Sequence, residues 1–263
     1  MNFLKVPGGF YRIGTTKEGL NRCVSQWRQR LINPCYSEAD FRDWISKECP
    51  AHEVEVPTFY LSETLISNKE AEIFVEATGS KRPESLSNGD PEDHPVWGVS
   101  LEWAKSYASW LSLRDSKANY RLPREEEWEA AARGFDFREY PYGESFNSKC
   151  ANTKESGIGS TTPIRFFKDF PGPFGHLDLA GNVEEWADSF YTIYEGGEVV
   201  KDDLFERFGV DYPILRGGSF ACGGDLSRGA RRHGPFPDPL FRYTGFRLVR
   251  EFRYADTYCD WVR

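Results

Sequence analysis

The chain has 263 residues, of which 39% are hydrophobic and 28% are charged, and its formal net charge is −8. This balance excludes a disordered chain, and the sequence contains no run of about 18 apolar residues that would predict membrane insertion. The acidic charge argues against nucleic acid as a partner, because sequence-independent binding requires a basic face. Aromatic residues make up 16% of the chain, so we expect a core packed with aromatic rings.

The cysteines do not form a recognisable framework. Six are scattered along the chain without a Cys-x-x-Cys pair, which disfavours a structural zinc site. The even number permits disulfides, but the first residues contain no apolar stretch of signal-peptide length, and reduced thiols are then expected. The same observation predicts a cytoplasmic protein, or a surface-displayed one if a targeting segment has been removed.

The first third of the chain alternates between strand and helix patterns. Residues 1–15 predict a short strand and a turn, and the polar, mildly helical residues 16–50 indicate an insertion. The apolar–polar alternation of residues 52–66 is typical of strands. Ser67 lies three residues before Glu70, a capping-box pattern that predicts the start of a helix.

Helix patterns then become rare toward the C-terminus. Residues 78–95 are rich in Gly, Pro, Ser and acidic residues and predict a loop. Two helices are expected in residues 100–114 and 121–134, the second with three glutamates in its first turn, where the helix dipole favours them. Beyond residue 135 we predict only short strands, in residues 212–218 and 244–252. The pattern indicates an irregular α+β domain.

Eight phrases of the sequence, taken in order, resemble one known family, the formylglycine-generating enzymes (sulfatase-modifying factors). The phrases are VPGGFYRIGTT, VEVPTFYLSETLISNKEAEIFV, HPVWGVSLEWAKSYASWL, YRLPREEEWEAAARG, YPYGE, GHLDLAGNVEEWADSFY, LRGGSF and TGFRLVR. The resemblance implies a single domain over residues 1–263 with a loop-rich variant of the C-type lectin fold. Residues 16–50 and 190–211 fall outside the resemblance, and we interpret them as insertions.

The resemblance also implies where an oxidase site would lie. The copper-dependent members of the family use two cysteines five residues apart, just after a Gly-Gly-Ser turn. Carried onto this chain, the first position is Cys222, with Ser219 nearby, but the second position is Ser227. Copper(I) prefers thiolate ligands, and a serine hydroxyl is a poor replacement. Copper is therefore not expected, and a copper- or oxygen-dependent oxidase of a cysteine thiol, centred on Cys222, is kept as the alternative function.

The phrase DLAGNVEEW, residues 178–186, indicates a structural calcium site. Calcium takes about six to eight oxygen ligands and combines carboxylates with backbone carbonyls. The resemblance implies side-chain ligands at Asp178 and Glu185 and carbonyl ligands at Gly181 and Val183. The alternative is a turn whose acidic side chains are solvated.

Residues 221–243, the 221–243 segment, have an unusual composition for a surface, since they mix Gly, Pro, aromatic and basic residues. Clustered aromatic rings on a surface usually indicate an interface, and arginine adds directed polar contacts. The segment therefore predicts non-catalytic ligand binding, and the alternative is that its rings point into an aromatic core. The predicted ligand-binding residues are Ala221, Cys222, Leu226, Arg231, His233, Phe236, Leu240, Phe241, Arg242 and Tyr243.

An intact framework around a heterogeneous segment resembles the variable proteins of diversity-generating retroelements. Those proteins place their randomised residues on the C-terminal part of this same fold. The resemblance implies a diversified binder of a protein or a glycan. Because fold does not determine function, an accessory subunit that masks a catalytic relative is a third hypothesis.

Overall fold

The computed structural model describes residues 1–30 and 37–253. Short elements alternate with long turns, which confirms the expected irregular α+β architecture. The helices are α1 (Lys17–Trp27), α2 (Glu38–Ser46), α3 (Asn68–Thr78), α4 (Glu84–Asn88), α5 (Leu101–Arg114), α6 (Glu125–Arg133) and α7 (Asp203–Phe208). The strands are β1 (Phe3–Val6), β2 (Gly9–Ile13), β3 (His52–Val56), β4 (Phe59–Ser62), β5 (Ala118–Arg121), β6 (Glu184–Phe190), β7 (Pro213–Arg216), β8 (Thr244–Gly245) and β9 (Val249–Phe252).

The strands form three small sheets that tie the two ends of the chain together. The largest has the order β1-β4-β9-β5, so the last strand lies between strands from the first half of the chain. β2 pairs with β3, and β6 lies between an antiparallel β7 and a parallel β8. Since β7 precedes the 221–243 segment and β8 follows it, the segment is anchored at both ends in the same sheet.

The predicted helix starts are confirmed by their caps. Ser67 Oγ accepts a hydrogen bond from the Glu70 amide at 3.3 Å, and Glu70 Oε2 accepts one from the Ser67 amide at 3.0 Å. Ser100 caps α5 in the same way, by accepting from the Trp103 amide at 3.2 Å. Such caps satisfy amides that a helix start leaves unpaired. No helix in the described ranges is both long and apolar enough to cross a membrane.

The core is aromatic, as the composition predicts. Phe74 of α3 makes edge contacts with Trp103, Tyr107 and Trp110 of α5, with ring centroids 5.0–5.4 Å apart. Phe246, next to β8, packs against the same rings. Edge-to-face ring pairs add specific geometry to the area that they bury, so these contacts fix α5 against the C-terminal part of the chain.

The structure also contains elements that the sequence patterns did not predict. The short helices α4 and α7 lie in stretches that we interpreted as a loop and an insertion, and no strand was predicted at β5 or β6. β6 begins with Glu184 and Glu185, which the sequence suggested as part of a calcium site or as solvated acids. Both are buried, because His233 pairs with Glu184 and Arg247 pairs with Glu185. A buried strand is difficult to predict from the sequence when the ion-pair partners of its polar residues lie far along the chain.

The first expected insertion contains two helices with a small core of their own. Trp27 of α1 packs with Phe41 and Ile45 of α2 and with Tyr140 of the main body. The Trp27 indole also donates to the Tyr140 hydroxyl at 3.1 Å. The helices α1 and α2 are thus held against the domain by aromatic packing.

Buried ion pairs join arginines of the C-terminal third of the chain to β6 and to the first half of the chain. Arg247 gives Nε and Nη2 to both oxygens of Glu185, at 2.6 and 2.9 Å, and neither side chain is exposed. Further buried pairs join Arg216 to Glu129, Arg228 to Glu48 and Arg232 to Glu125. Removing one partner of such a pair leaves an uncompensated charge, which costs far more than the pair itself contributes.

We predict that Arg247→Met lowers the free energy of unfolding by about 3–5 kcal/mol, because Glu185 is left buried without a cation. The double variant Arg247→Met, Glu185→Met should recover most of that loss. Urea denaturation of both proteins measures the difference. The control is Arg82→Met in an exposed pair with Glu72, with an expected change of about 1 kcal/mol or less. Equal losses in the single and double variants would show that Glu185 tolerates isolation.

Candidate ligand-binding pocket

A pocket with a cavity volume of about 160 Å³ lies where the 221–243 segment meets both expected insertions. The segment forms one wall. Residues of α2 and of the first turn of α7 form the opposite side. The lining residues are Arg30, Trp44, Lys47, Asp202, Asp203, Leu204, Cys222, Gly223, Asp225, Leu226, Arg231, His233, Phe236, Asp238, Leu240 and Phe241. We refer to this cavity as the pocket.

The structure brings seven of the ten predicted ligand-binding residues together at the pocket, namely Cys222, Leu226, Arg231, His233, Phe236, Leu240 and Phe241. Ala221, Arg242 and Tyr243 do not line it. Arg242 and Tyr243 instead pack on Trp97, with the Tyr243 ring centroid 4.8 Å from that of Trp97. The segment therefore has two faces, of which only one borders the pocket.

The 221–243 segment is less exposed than its composition suggests. Arg231 and His233 are 4% and 8% exposed, so they meet a ligand only from within the pocket. Phe236 and Phe241 are half-buried and contact each other edge to face at 6.1 Å. The expected flat aromatic patch is thus replaced by a concave site, because the two insertions cover one side of the segment.

The insertions supply pocket residues that sequence reasoning missed. Lys47, just after α2, forms a buried ion pair with Asp202 and also donates to the Tyr212 hydroxyl at 3.2 Å. Burial lowers the pKa of Lys47 to about 8, although Asp202 opposes that shift. Trp44 adds an aromatic wall. No local pattern in the sequence indicates that two insertions about 150 residues apart meet over the same segment.

Two buried charged side chains of the pocket, Arg231 and Asp225, have no ionic partner among the described residues. Arg231 donates Nη1 to the carbonyls of Arg232 and Trp44, at 2.6 and 3.4 Å, while its buried Nε has no hydrogen-bond partner. Asp225 is 6% exposed and forms no ion pair. Burial raises the pKa of Asp225 to about 6, against the lowering influence of Arg231 and Arg228. Asp225 is therefore ionised at neutral pH at a cost in stability.

Cys222 lies at the pocket as a buried, neutral thiol. Its Sγ is 3.3 Å from Ser219 Oγ. Burial, together with the nearby carboxylate of Glu184, raises the pKa of Cys222 to about 12. The hydroxyl of Ser227 donates to the Gly224 carbonyl at 2.8 Å. Because the thiolate is the reactive and metal-binding form, this surrounding does not activate the cysteine.

Of the two proposed side-chain ligands of calcium, Glu185 is engaged by Arg247 and Asp178 is buried. Both oxygens of Glu185 accept hydrogen bonds from Arg247. Asp178 has one buried oxygen without a hydrogen-bond partner, and burial raises its pKa to about 7. One free carboxylate oxygen does not fit an ion that takes about six to eight oxygens. Within residues 1–30 and 37–253 no three His, Cys, Asp or Glu residues form a metal-binding group, and calcium at Asp178, Gly181, Val183 and Glu185 stays a prediction.

The small sheets, the long turns and the pocket define a loop-rich domain of the kind that the eight phrases predicted. The chain belongs to the family of sulfatase-modifying factor enzyme 1-like domains, whose model matches residues 2–252. The resemblance found in the sequence is thereby confirmed.

Relatives in this family have different names and lengths. The chain is 32% identical over 229 residues to the serine/threonine-protein kinase Pkn1 of Chlamydia trachomatis, and 29% identical over 267 residues to the formylglycine-generating enzyme of Streptomyces coelicolor. Each alignment covers 78% of this chain, with 35% of the kinase and 82% of the enzyme. The chain spans about a third of the length of the chlamydial kinases that it matches.

Solved structures confirm the fold. PvdO from Pseudomonas aeruginosa superposes with a TM-score of 0.67 at 24% identity, over 95% of this chain and 94% of that one. Treponema denticola variable protein 1 gives 0.65 at 18% identity, over 94% of both chains. At these identities the similarity is one of fold.

We predict that Asp225→Asn stabilises the protein by about 3 kcal/mol at pH 8, because it removes a buried carboxylate without an ionic partner. The carboxyl pKa is raised from 3.8 to about 6 in the folded protein. Its penalty is therefore absent below pH 3.8, develops as the pH rises, and is complete above about pH 6. Urea denaturation at several pH values measures the difference, with the exposed Asp169→Asn as the control. A loss of stability at pH 8 would show that the carboxylate has a stabilising partner.

Proposed function

We propose that this chain is a non-catalytic ligand-binding domain, and that its ligand occupies the pocket. The observation that supports this proposal is that seven of the predicted ligand-binding residues line the cavity. In that cavity the buried side chains of Arg231 and Asp225 lack ionic partners. Pockets that combine an apolar lining with a few directed polar groups are typical of binding sites. The ligand would contact residues from three separate parts of the chain.

The oxidase alternative is less well supported by the same site. A copper(I) centre requires two soft ligands, and the second family position is held by the hard hydroxyl of Ser227. That hydroxyl donates to the Gly224 carbonyl, and Cys222 is a protonated thiol at neutral pH. The relatives include a formylglycine-generating enzyme and a protein kinase by name, so family membership alone favours neither activity.

We also propose that the exposed part of the 221–243 segment is the place where diversification would act. A Cβ on Gly224 would lie 2.1 Å from the Phe146 ring, and one on Gly234 would lie 2.6 Å from the Tyr212 ring. These positions do not tolerate side chains without rearrangement. Leu240 and Arg242 are exposed and accept substitution at little cost.

A copper(I) titration distinguishes the binder from the oxidase. We predict no stoichiometric copper(I) binding by the native protein at pH 7, since only one family cysteine is present and its thiol is neutral. Competition with a chromophoric copper(I) chelator measures the affinity, and Cys222→Ala is the matched comparison. Tight binding of one copper ion that disappears in Cys222→Ala would overturn the non-catalytic proposal.

Sequencing the gene across many sister cells tests diversification. We predict substitutions at Ala221, Leu226 and residues 239–243, while Gly224 and Gly234 stay fixed because neighbouring rings occupy the space of a side chain. The framework codons for Gly217, Gly218 and Gly245 serve as the internal control. A segment that is invariant across cells would contradict diversification but would leave ligand binding by the pocket in place.

A further inference from the structure

Arg231 differs from every other buried arginine in the described part of the chain. Six arginines are buried there, and Arg133, Arg216, Arg228, Arg232 and Arg247 each have a carboxylate within 4.0 Å. Arg231 is 4% exposed and has none. A buried guanidinium without an anion is costly, and it favours an anionic group that arrives from the pocket.

Asp225 is the corresponding exception among the buried acidic residues of the pocket, Asp202 and Asp225. Asp202 is paired with Lys47, and Asp238 accepts a hydrogen bond from the Leu240 amide at 2.8 Å. Asp225 forms no ion pair and no hydrogen bond with another described side chain. Arg231 is the charged group with the largest influence on its pKa. The pocket therefore presents one buried cation and one buried anion that influence each other electrostatically but form no ion pair.

Apolar side chains form part of the remaining wall of the pocket, beside the paired Lys47 and Asp202. Trp44 approaches from α2, Leu204 from α7, and Phe236, Leu240 and Phe241 from the 221–243 segment. A cavity of about 160 Å³ has room for roughly a dozen non-hydrogen atoms. This size suits one small molecule and excludes a folded protein or an oligosaccharide from the cavity itself.

We propose that the pocket binds a small zwitterion of the α-amino acid class with an apolar or aromatic side chain. The ligand carboxylate would accept hydrogen bonds from the Arg231 guanidinium, and the ligand ammonium would donate to the Asp225 carboxylate. The side chain would pack between Trp44 and the two phenylalanines. The inference rests on the proposed function, because it names the ligand class of the same pocket.

The charge arrangement favours a zwitterion over a ligand with a single charge. A ligand with only a carboxylate would pair with Arg231 and leave Asp225 buried without a partner. A ligand with only an amine would pair with Asp225 and leave Arg231 buried without a partner. Leaving a buried charge unpaired removes much of the gain from pairing the other. Only a ligand with both charges satisfies both side chains at once.

The first test uses the unmodified protein and compares ligands. The proteinogenic L-amino acids are screened by thermal shift, and calorimetry is then carried out with L-phenylalanine, 3-phenylpropanoate, which lacks the ammonium, and phenethylamine, which lacks the carboxylate. We expect saturable binding of one or more apolar amino acids, and an affinity about tenfold or more lower for each singly charged analogue. Equal affinity for the three phenyl compounds would overturn the proposed charge recognition.

The second test assigns each charge to its side chain. In Asp225→Asn the preference for L-phenylalanine over 3-phenylpropanoate should disappear, and in Arg231→Gln the preference over phenethylamine should disappear. The matched control is Arg114→Gln, at an exposed arginine of α5 that does not line the pocket, which should leave all three affinities unchanged. Unchanged preferences in the folded Asp225→Asn protein would overturn the proposal even if Arg231→Gln does not fold.

The two proposals fail in different ways. If no amino acid shifts the melting temperature and the copper(I) titration is also negative, the zwitterion inference is wrong and the binding function stands. If copper(I) binds through Cys222, the non-catalytic function is wrong whatever the amino acids do.

Discussion

Buried arginine–glutamate pairs hold this chain together where regular secondary structure is scarce. Arg216, Arg228, Arg232 and Arg247 all come from the C-terminal part and reach carboxylates of the first half of the chain or of β6. Each guanidinium offers a fixed fork of donors, so a pair sets orientation as well as distance. The pairs thereby fix long turns against α6 and β6. The sheets that these turns connect are held in a fixed relative position.

The pocket exists because the same pairs also fix the insertions. Arg228 reaches Glu48, at the end of the first insertion, and Arg232 donates to the carbonyls of Lys47 and Thr192. Two segments far apart in sequence are thus held over the 221–243 segment. Arg231 lies between two fully paired arginines and is itself unpaired. Among the buried arginines of the described residues, Arg231 alone lacks a carboxylate partner. A ligand that supplies an anion explains this better than a general lack of ion pairing in the fold.

The sequence predicted those features that depend on short-range order. The Ser67 capping box, the helix after Ser100 and the family phrases all depend on residues a few positions apart. β6 was missed because the partners of Glu184 and Glu185 lie about 50 to 60 residues further along the chain. Seven of the ten predicted ligand-binding residues line the pocket, and their role in binding stays a prediction. The pocket itself was not predicted, because it depends on α2 and α7, which no local pattern places over the segment.

Burial has opposite consequences for the two candidate activities at this site. It keeps the thiol of Cys222 protonated, which removes both its nucleophilic and its metal-binding form. The same desolvation strengthens electrostatic contacts between a ligand and Arg231 or Asp225, because less water competes for them. A surrounding that suppresses thiol chemistry therefore favours recognition of charge. The protein retains two charges that weaken the empty fold, as is common where function and stability conflict.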